Sequence, residues 1–84
     1  MAWHVYIARA RTGRYYTGIS PHPEQRIDDH NNDRGAKFAH DQGPFTLVYI
    51  SPPFPDQKAA RKREHQIKGW TRSKKEKLIK GDWM

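Results

Sequence analysis

The sequence has no cysteine in its 84 residues. A disulfide framework and a thiolate metal site are therefore excluded, and a reducing cytoplasm is the expected location. No apolar run approaches the roughly 18 residues of a membrane span, and no secretory leader is recognisable, so no membrane role is expected. There is also no glycine-rich nucleotide loop, no paired-histidine zinc motif and no serine in a Gly-x-Ser-x-Gly setting. Those enzyme classes drop out, and no nucleotide cofactor is expected. Repeats, linkers and low-complexity segments are missing. Acidic residues are scarce: 9 Asp and Glu stand against 16 Lys and Arg, for a net charge of +7.

In so short a chain, that imbalance favours a polyanionic partner. The alternative is an ordinary charged, soluble surface. Aromatic residues make up 12% and are interleaved with Arg and Lys, which tilts the balance towards nucleic acid. A membrane-surface helix would need a clean apolar face, which the C-terminal basic stretch lacks. The length suits one small domain, residues 1–80 with a short tail at 81–84, acting as a monomer. Without thiolates, a bound metal would take oxygen or imidazole ligands, which points to Mg2+ or Mn2+.

Residues 3–9 alternate in polarity and read as a strand. Gly13 and Arg14 mark a turn, and residues 15–20 form a second strand ended by Pro21 and Pro23. Pro23 suits the first position of a helix running to about Asn32. A loop and a helical turn over 35–39 follow. Residues 45–50 are β-branched and aromatic, a third strand stopped by Pro52, Pro53 and Pro55. Asp56 caps a long helix to about Trp70. A last helix starts at Thr71 or Ser73, where Ser73 and Glu76 fit a capping box, and runs to about Lys80. The order ββαβαα implies an α+β fold: a small three-stranded sheet with helices packed against it.

The hairpin sets Tyr6 and Tyr16 beside each other. Either they are ordinary half-buried sheet tyrosines or they are a phenol pair with a task. Gly18, inside its strand, leaves room for a close approach, and beside a phenol that room suits a phosphate. Arg26 and His30 are four apart and share a helix face. An arginine fork matches phosphate oxygens, and a histidine can relay a proton. Glu64 falls on the inward stripe of the long helix with Ala60 and Ile67. A carboxylate there is costly unless it binds a metal or pairs with a cation, and Lys68, four residues on, is the cation available. Lys37 on its loop and the run Arg72, Lys74, Lys75, Lys77 and Lys80 offer non-specific phosphate attraction, or a solvated face.

Val5-Tyr6-Ile7, Tyr16-Thr17-Gly18, Arg26, His30 and Glu64, in this order, resemble the GIY-YIG endonuclease superfamily. Gly35-Ala36-Lys37 and the segment from Thr71 to Ile79 are similar to its short stand-alone bacterial subgroup. The resemblance spans nearly the whole chain. It implies an antiparallel three-stranded sheet flanked by helices and a metal-dependent endonuclease acting on nucleic acid, DNA first. It implies a catalytic set of Tyr6 as general base, Tyr16 orienting water or phosphate, Arg26 stabilising phosphate charge, His30 assisting, and Glu64 holding one Mg2+ or Mn2+. Gly18, Lys37, Lys68, Arg72, Lys74 and Lys75 would contact nucleic acid. Two departures stand out. No asparagine follows Asn32, and His40 stands where the subgroup commonly has arginine. They leave a second reading, a binding module of the same fold that cleaves poorly or not at all.

Overall fold

The computed structural model describes residues 2–32 and 44–81. Within them lie three strands, β1 (His4–Arg9), β2 (Tyr15–Ser20) and β3 (Thr46–Ile50), and three helices, α1 (Pro23–Asn32), α2 (Gln57–Lys68) and α3 (Arg72–Lys80). The helical turn expected at 35–39, with Lys37, lies outside the described residues, as does the tail at 82–84.

The sheet is antiparallel throughout, in the order β2-β1-β3. β1 is central because it is apolar on both sides. Val5, Tyr6, Ile7 and Ala8 are all buried, as a strand covered on two faces requires. Its alternation divides the core in two. Tyr6, Ala8 and Ala10 pack with Ile27 of α1 and with Phe45. Val5 and Ile7 pack with Ala60 and Ile67 of α2 and Leu78 of α3. The molecule is thus layered, with α1 on one face of the sheet and α2 and α3 on the other.

The hairpin turn is closed by Ala10 N donating to Arg14 O at 2.8 Å and Gly13 N to Ala10 O at 2.8 Å. Gly13 takes φ +95°, a left-handed conformation that a side chain would strain. Beyond β3, Ser51 continues the edge: Val5 N donates to Ser51 Oγ at 2.9 Å, and Ser51 N to Val5 O at 2.8 Å. Trp3 and Phe54 then exchange backbone hydrogen bonds of 3.0 and 2.7 Å, which carries the proline-rich segment along β1.

Asp56 caps α2 as expected, accepting from Ala59 N at 2.8 Å. The helix stops at Lys68, two residues short of the expected end. At α3 the cap is Thr71, which accepts from Lys74 N at 3.3 Å. The Ser73–Glu76 capping box does not form, because Glu76 is engaged elsewhere. Its Oε2 accepts from the Tyr15 hydroxyl at 3.1 Å and lies 3.5 Å from Arg72 Nε. The Arg72 guanidinium also covers the Tyr15 ring at 4.3 Å and donates from Nη1 to Gly13 O at 2.8 Å. The last helix is thereby tied to the first turn. Burial, and then the Glu76 hydrogen bond, raise the Tyr15 pKa above its ordinary value.

Candidate active site

Tyr6 and Tyr16 both emerge on the α1 side of the sheet. They are not directly opposed: Tyr6 pairs with Gly18, and Tyr16 with Ala8. Gly18 explains how the phenol fits. A Cβ built on Gly18 would stand 2.5 Å from the Tyr6 hydroxyl oxygen and 2.7 Å from Cζ. The room above Gly18 is therefore taken by the Tyr6 ring itself. The glycine seats the phenol, where sequence reasoning gave that room to a phosphate.

Tyr6, Ala8, Tyr16, Ile27, His30 and Phe45 line a recess of about 50 Å³. At about 30 Å³ per liquid water, it has room for one water molecule. Its walls are mainly apolar, with two phenols and an imidazole turned to it. Three of the expected catalytic residues thus come together. Arg26 is exposed on α1, one turn before His30, and is not part of the recess wall.

Phe45 and Asn31 were not expected at the site. The Phe45 ring meets Tyr16 edge-on at 5.4 Å between centroids and His30 at 6.2 Å. It fixes both side chains by packing. Asn31 fixes Phe45 in turn: Phe45 N donates to Asn31 Oδ1 at 2.7 Å, and Asn31 Nδ2 donates to Phe45 O at 2.9 Å. In the sequence, the only trace of this is an aromatic residue at the entry of the third strand, which β-propensity already accounted for.

Glu64 lies on α2, buried between Ala60 and Ile67. It does not line the recess. Those two neighbours pack in the Val5–Ile7 layer, and α2 lies mainly against β2, so Glu64 sits at the α2–β2 seam beneath the edge strand. Its Oε2 is 3.5 Å from Lys68 Nζ, the ion pair foreseen as the competing explanation. Its Oε1 is buried with no hydrogen-bond partner. A buried carboxylate whose outer oxygen already meets a cation fits a metal ligand of the kind that leaves most positions to water and phosphate. Among the described residues, no group of three His, Asp or Glu could hold a metal by itself, so Glu64 would be the sole protein ligand.

The remaining basic residues are dispersed. Arg72 is committed to the hairpin clamp. Lys74 Nζ lies 4.7 Å from the centroid of Trp70, and Arg63 covers the same indole at 5.0 Å. Lys75 is half-buried.

The sequence model of the GIY-YIG catalytic domain matches residues 2–77. This chain belongs to the GIY-YIG family. Similar full-length relatives include the UPF0213 protein SSP2268 of Staphylococcus saprophyticus, 42% identical over 76 residues, with 90% of this chain and 92% of the relative covered. The UPF0213 protein YhbQ of Escherichia coli is 35% identical over 77 residues, covering 92% and 76%. The solution structure of the UPF0213 protein BH0048 from Bacillus halodurans superimposes with a TM-score of 0.59 at 36% identity, covering 95% of this chain and 84% of that one. The EF2693 protein of E. faecalis gives 0.63 at 28% identity, covering 96% and 85%. The GIY-YIG fold is therefore shared across its length, with the order ββαβαα.

Proposed function

We propose that the protein is a metal-dependent endonuclease that hydrolyses phosphodiester bonds in nucleic acid, DNA before RNA. The observation that carries this reading is the recess where Tyr6, Tyr16 and His30 converge, in a chain of the GIY-YIG family. Tyr6, its own phenolic proton having passed to His30, takes the proton from a water held in that recess as the water attacks phosphorus. Tyr16, braced by Phe45, orients the water or the scissile phosphate. His30, on the same wall, relays the proton outward. Arg26, free to reach over the rim from α1, binds a phosphate oxygen as its charge grows in the transition state. Glu64 would hold Mg2+ or Mn2+, and the ion would supply stabilisation for the leaving oxygen; Glu64 lies in the layer opposite the recess, so this role needs a substrate strand that spans the β2 edge. Lys37, Lys68, Lys74 and Lys75 add non-specific attraction for phosphate.

The reading includes a monomer in the cytoplasm. Among the described residues, the one large hydrophobic residue that is substantially exposed is Ile50, on edge strand β3, which offers too little apolar surface for a stable homodimer. No described helix is long and apolar enough to cross a membrane.

The second reading, a binding module without cleavage, draws on one feature: Glu64 lies outside the recess, with its inner oxygen shielded from solvent. A cleavage assay on single-stranded, duplex and branched substrates, with and without Mg2+ or Mn2+, decides between the two. The nuclease reading expects metal-dependent products with 5′-phosphate ends, loss of cleavage in Glu64→Gln, and a much slower but still tightly binding Tyr6→Phe. Binding without any cleavage in either metal would leave the module reading.

A further inference from the structure

Among the described residues, two side-chain oxygens are buried without a hydrogen-bond partner: Thr17 Oγ1 and Glu64 Oε1. Both belong to the α2–β2 seam. Thr17 is in mid-strand between Tyr15 and Ile19, whose side chains join the layer formed with Ala60 and Ile67. Alternation along β2 puts Thr17 on that same side. Glu64 is in mid-helix between Ala60 and Ile67, on the stripe turned to the sheet. This strand and this helix pack on each other, and each brings one unsatisfied oxygen to the layer between them. Orphans of this kind are rare in folded proteins, and two on one seam call for a common partner.

We infer that Thr17 is a positioning residue for Glu64: its hydroxyl holds the inner carboxylate oxygen through one bridging water, so that the outer oxygen is presented to the divalent ion. The inference rests on the metal-dependent reading above. The chemistry of the two groups suits it. An ionised carboxylate only accepts, whereas a hydroxyl both donates and accepts, so a water between them satisfies both. The two carboxylate oxygens then divide the work. Oε1 is anchored inward, while Oε2 already faces a cation, Lys68 Nζ at 3.5 Å. Groups that hold a metal ligand in place govern affinity almost as strongly as the ligand itself. The competing explanation is that Thr17 is simply a β-branched strand residue, in which case valine serves as well.

The test compares wild type, Thr17→Val, Thr17→Ser, Glu64→Gln and the double variant Thr17→Val/Glu64→Gln. Metal-free thermal unfolding and Mn2+ binding by electron paramagnetic resonance are measured on each. Valine keeps the shape and removes the hydroxyl; serine keeps the hydroxyl. Thr17→Val should lower the unfolding midpoint by about 5 °C, and much of that loss should vanish when Glu64 is already glutamine. Its Mn2+ dissociation constant should rise about tenfold, with Thr17→Ser close to wild type. An unchanged or raised midpoint in Thr17→Val, strict additivity in the double variant, or unaltered Mn2+ affinity would each overturn the inference. If Mn2+ binds and cleavage proceeds normally in Thr17→Val, Thr17 alone is wrongly assigned. If wild type takes up no Mn2+, the metal-dependent reading falls, and the positioning role falls with it.

Discussion

Gly18 carries the sharpest steric demand at the site. Its missing Cβ leaves the space that the Tyr6 phenol fills, with 2.5 Å between the would-be carbon and the hydroxyl oxygen. Gly18→Ala must therefore push the Tyr6 ring out of its seat. Overpacking of this kind costs about 1–3 kcal/mol, readable by urea unfolding. Single-turnover cleavage should fall further than that loss of stability explains, because the displaced group is the proposed base. Lys68 makes a second prediction. Its ammonium occupies the oxygen that a metal ion would use, so Lys68→Gln should tighten Mn2+ binding by up to about fivefold, the upper end for an exposed ion pair. Calorimetric titration would show it, and weaker binding would mean that Lys68 assists the ion instead of competing with it. That Tyr6, Tyr16 and His30 share one recess was legible in the sequence, because each is a chemical group at a motif position; Arg26 and Glu64, named on the same ground, do not line it. Asn31 and Phe45 were not legible, because their part is to hold neighbours: a backbone hydrogen-bond pair and two ring contacts leave no compositional mark.

Element boundaries were legible where local chemistry sets them, as at Pro23 and Asp56. They were misread where distant residues intervene. Ser73 and Glu76 have the spacing of a capping box, but Glu76 is drawn away by Tyr15 and Arg72 in a cluster that reaches the hairpin turn, 59 residues back from Arg72. Arg72 read as a nucleic-acid contact, and its tie between elements was not foreseen. The clamp has a pH signature. Burial first, then the Glu76 hydrogen bond, raise the Tyr15 pKa, and burial raises that of Tyr49, partly offset by Arg63. A raised pKa means that the folded state holds the proton more tightly than the unfolded chain. The contribution is complete below about pH 10, the ordinary tyrosine value, and is lost as pH rises through the higher folded value. Thermal midpoints should therefore fall above about pH 10, and less steeply in Tyr15→Phe, which keeps the Tyr49 contribution and loses that of Tyr15. Parallel pH profiles for the two proteins would show that the clamp does not couple to the phenol's proton.

At the scale of the molecule, charge would govern an encounter with nucleic acid. The net charge is +7, many of the basic residues are spread over α2 and α3, and among the described residues no element is shaped to read base edges. Binding should therefore be salt-sensitive and only weakly sequence-dependent. If about 6 phosphates are neutralised on duplex DNA, log affinity falls with log salt at a slope of about −5. A flat salt dependence would remove nucleic acid as the main partner. The fold class and strand count were legible because hydrophobic alternation and proline stops mark them. The strand order was not, since either hairpin strand might have paired with β3; the apolar character of β1 on both faces settles it.

That central strand also sets the order in which the molecule assembles. Its partnership with β2 closes a short loop, and hairpins form within about 1–10 μs. Its partnership with the far edge joins residues 46 apart, as at Val5 and Ser51, and a longer closure has a higher entropic cost before any contact rewards it. The phenol pair is thus in place early, while Phe45 and Glu64 arrive with the later segments. On the proposed reading, the site remains incomplete until the later segments have docked, so a nascent or partly unfolded copy would present its tyrosines without the groups it needs to cut.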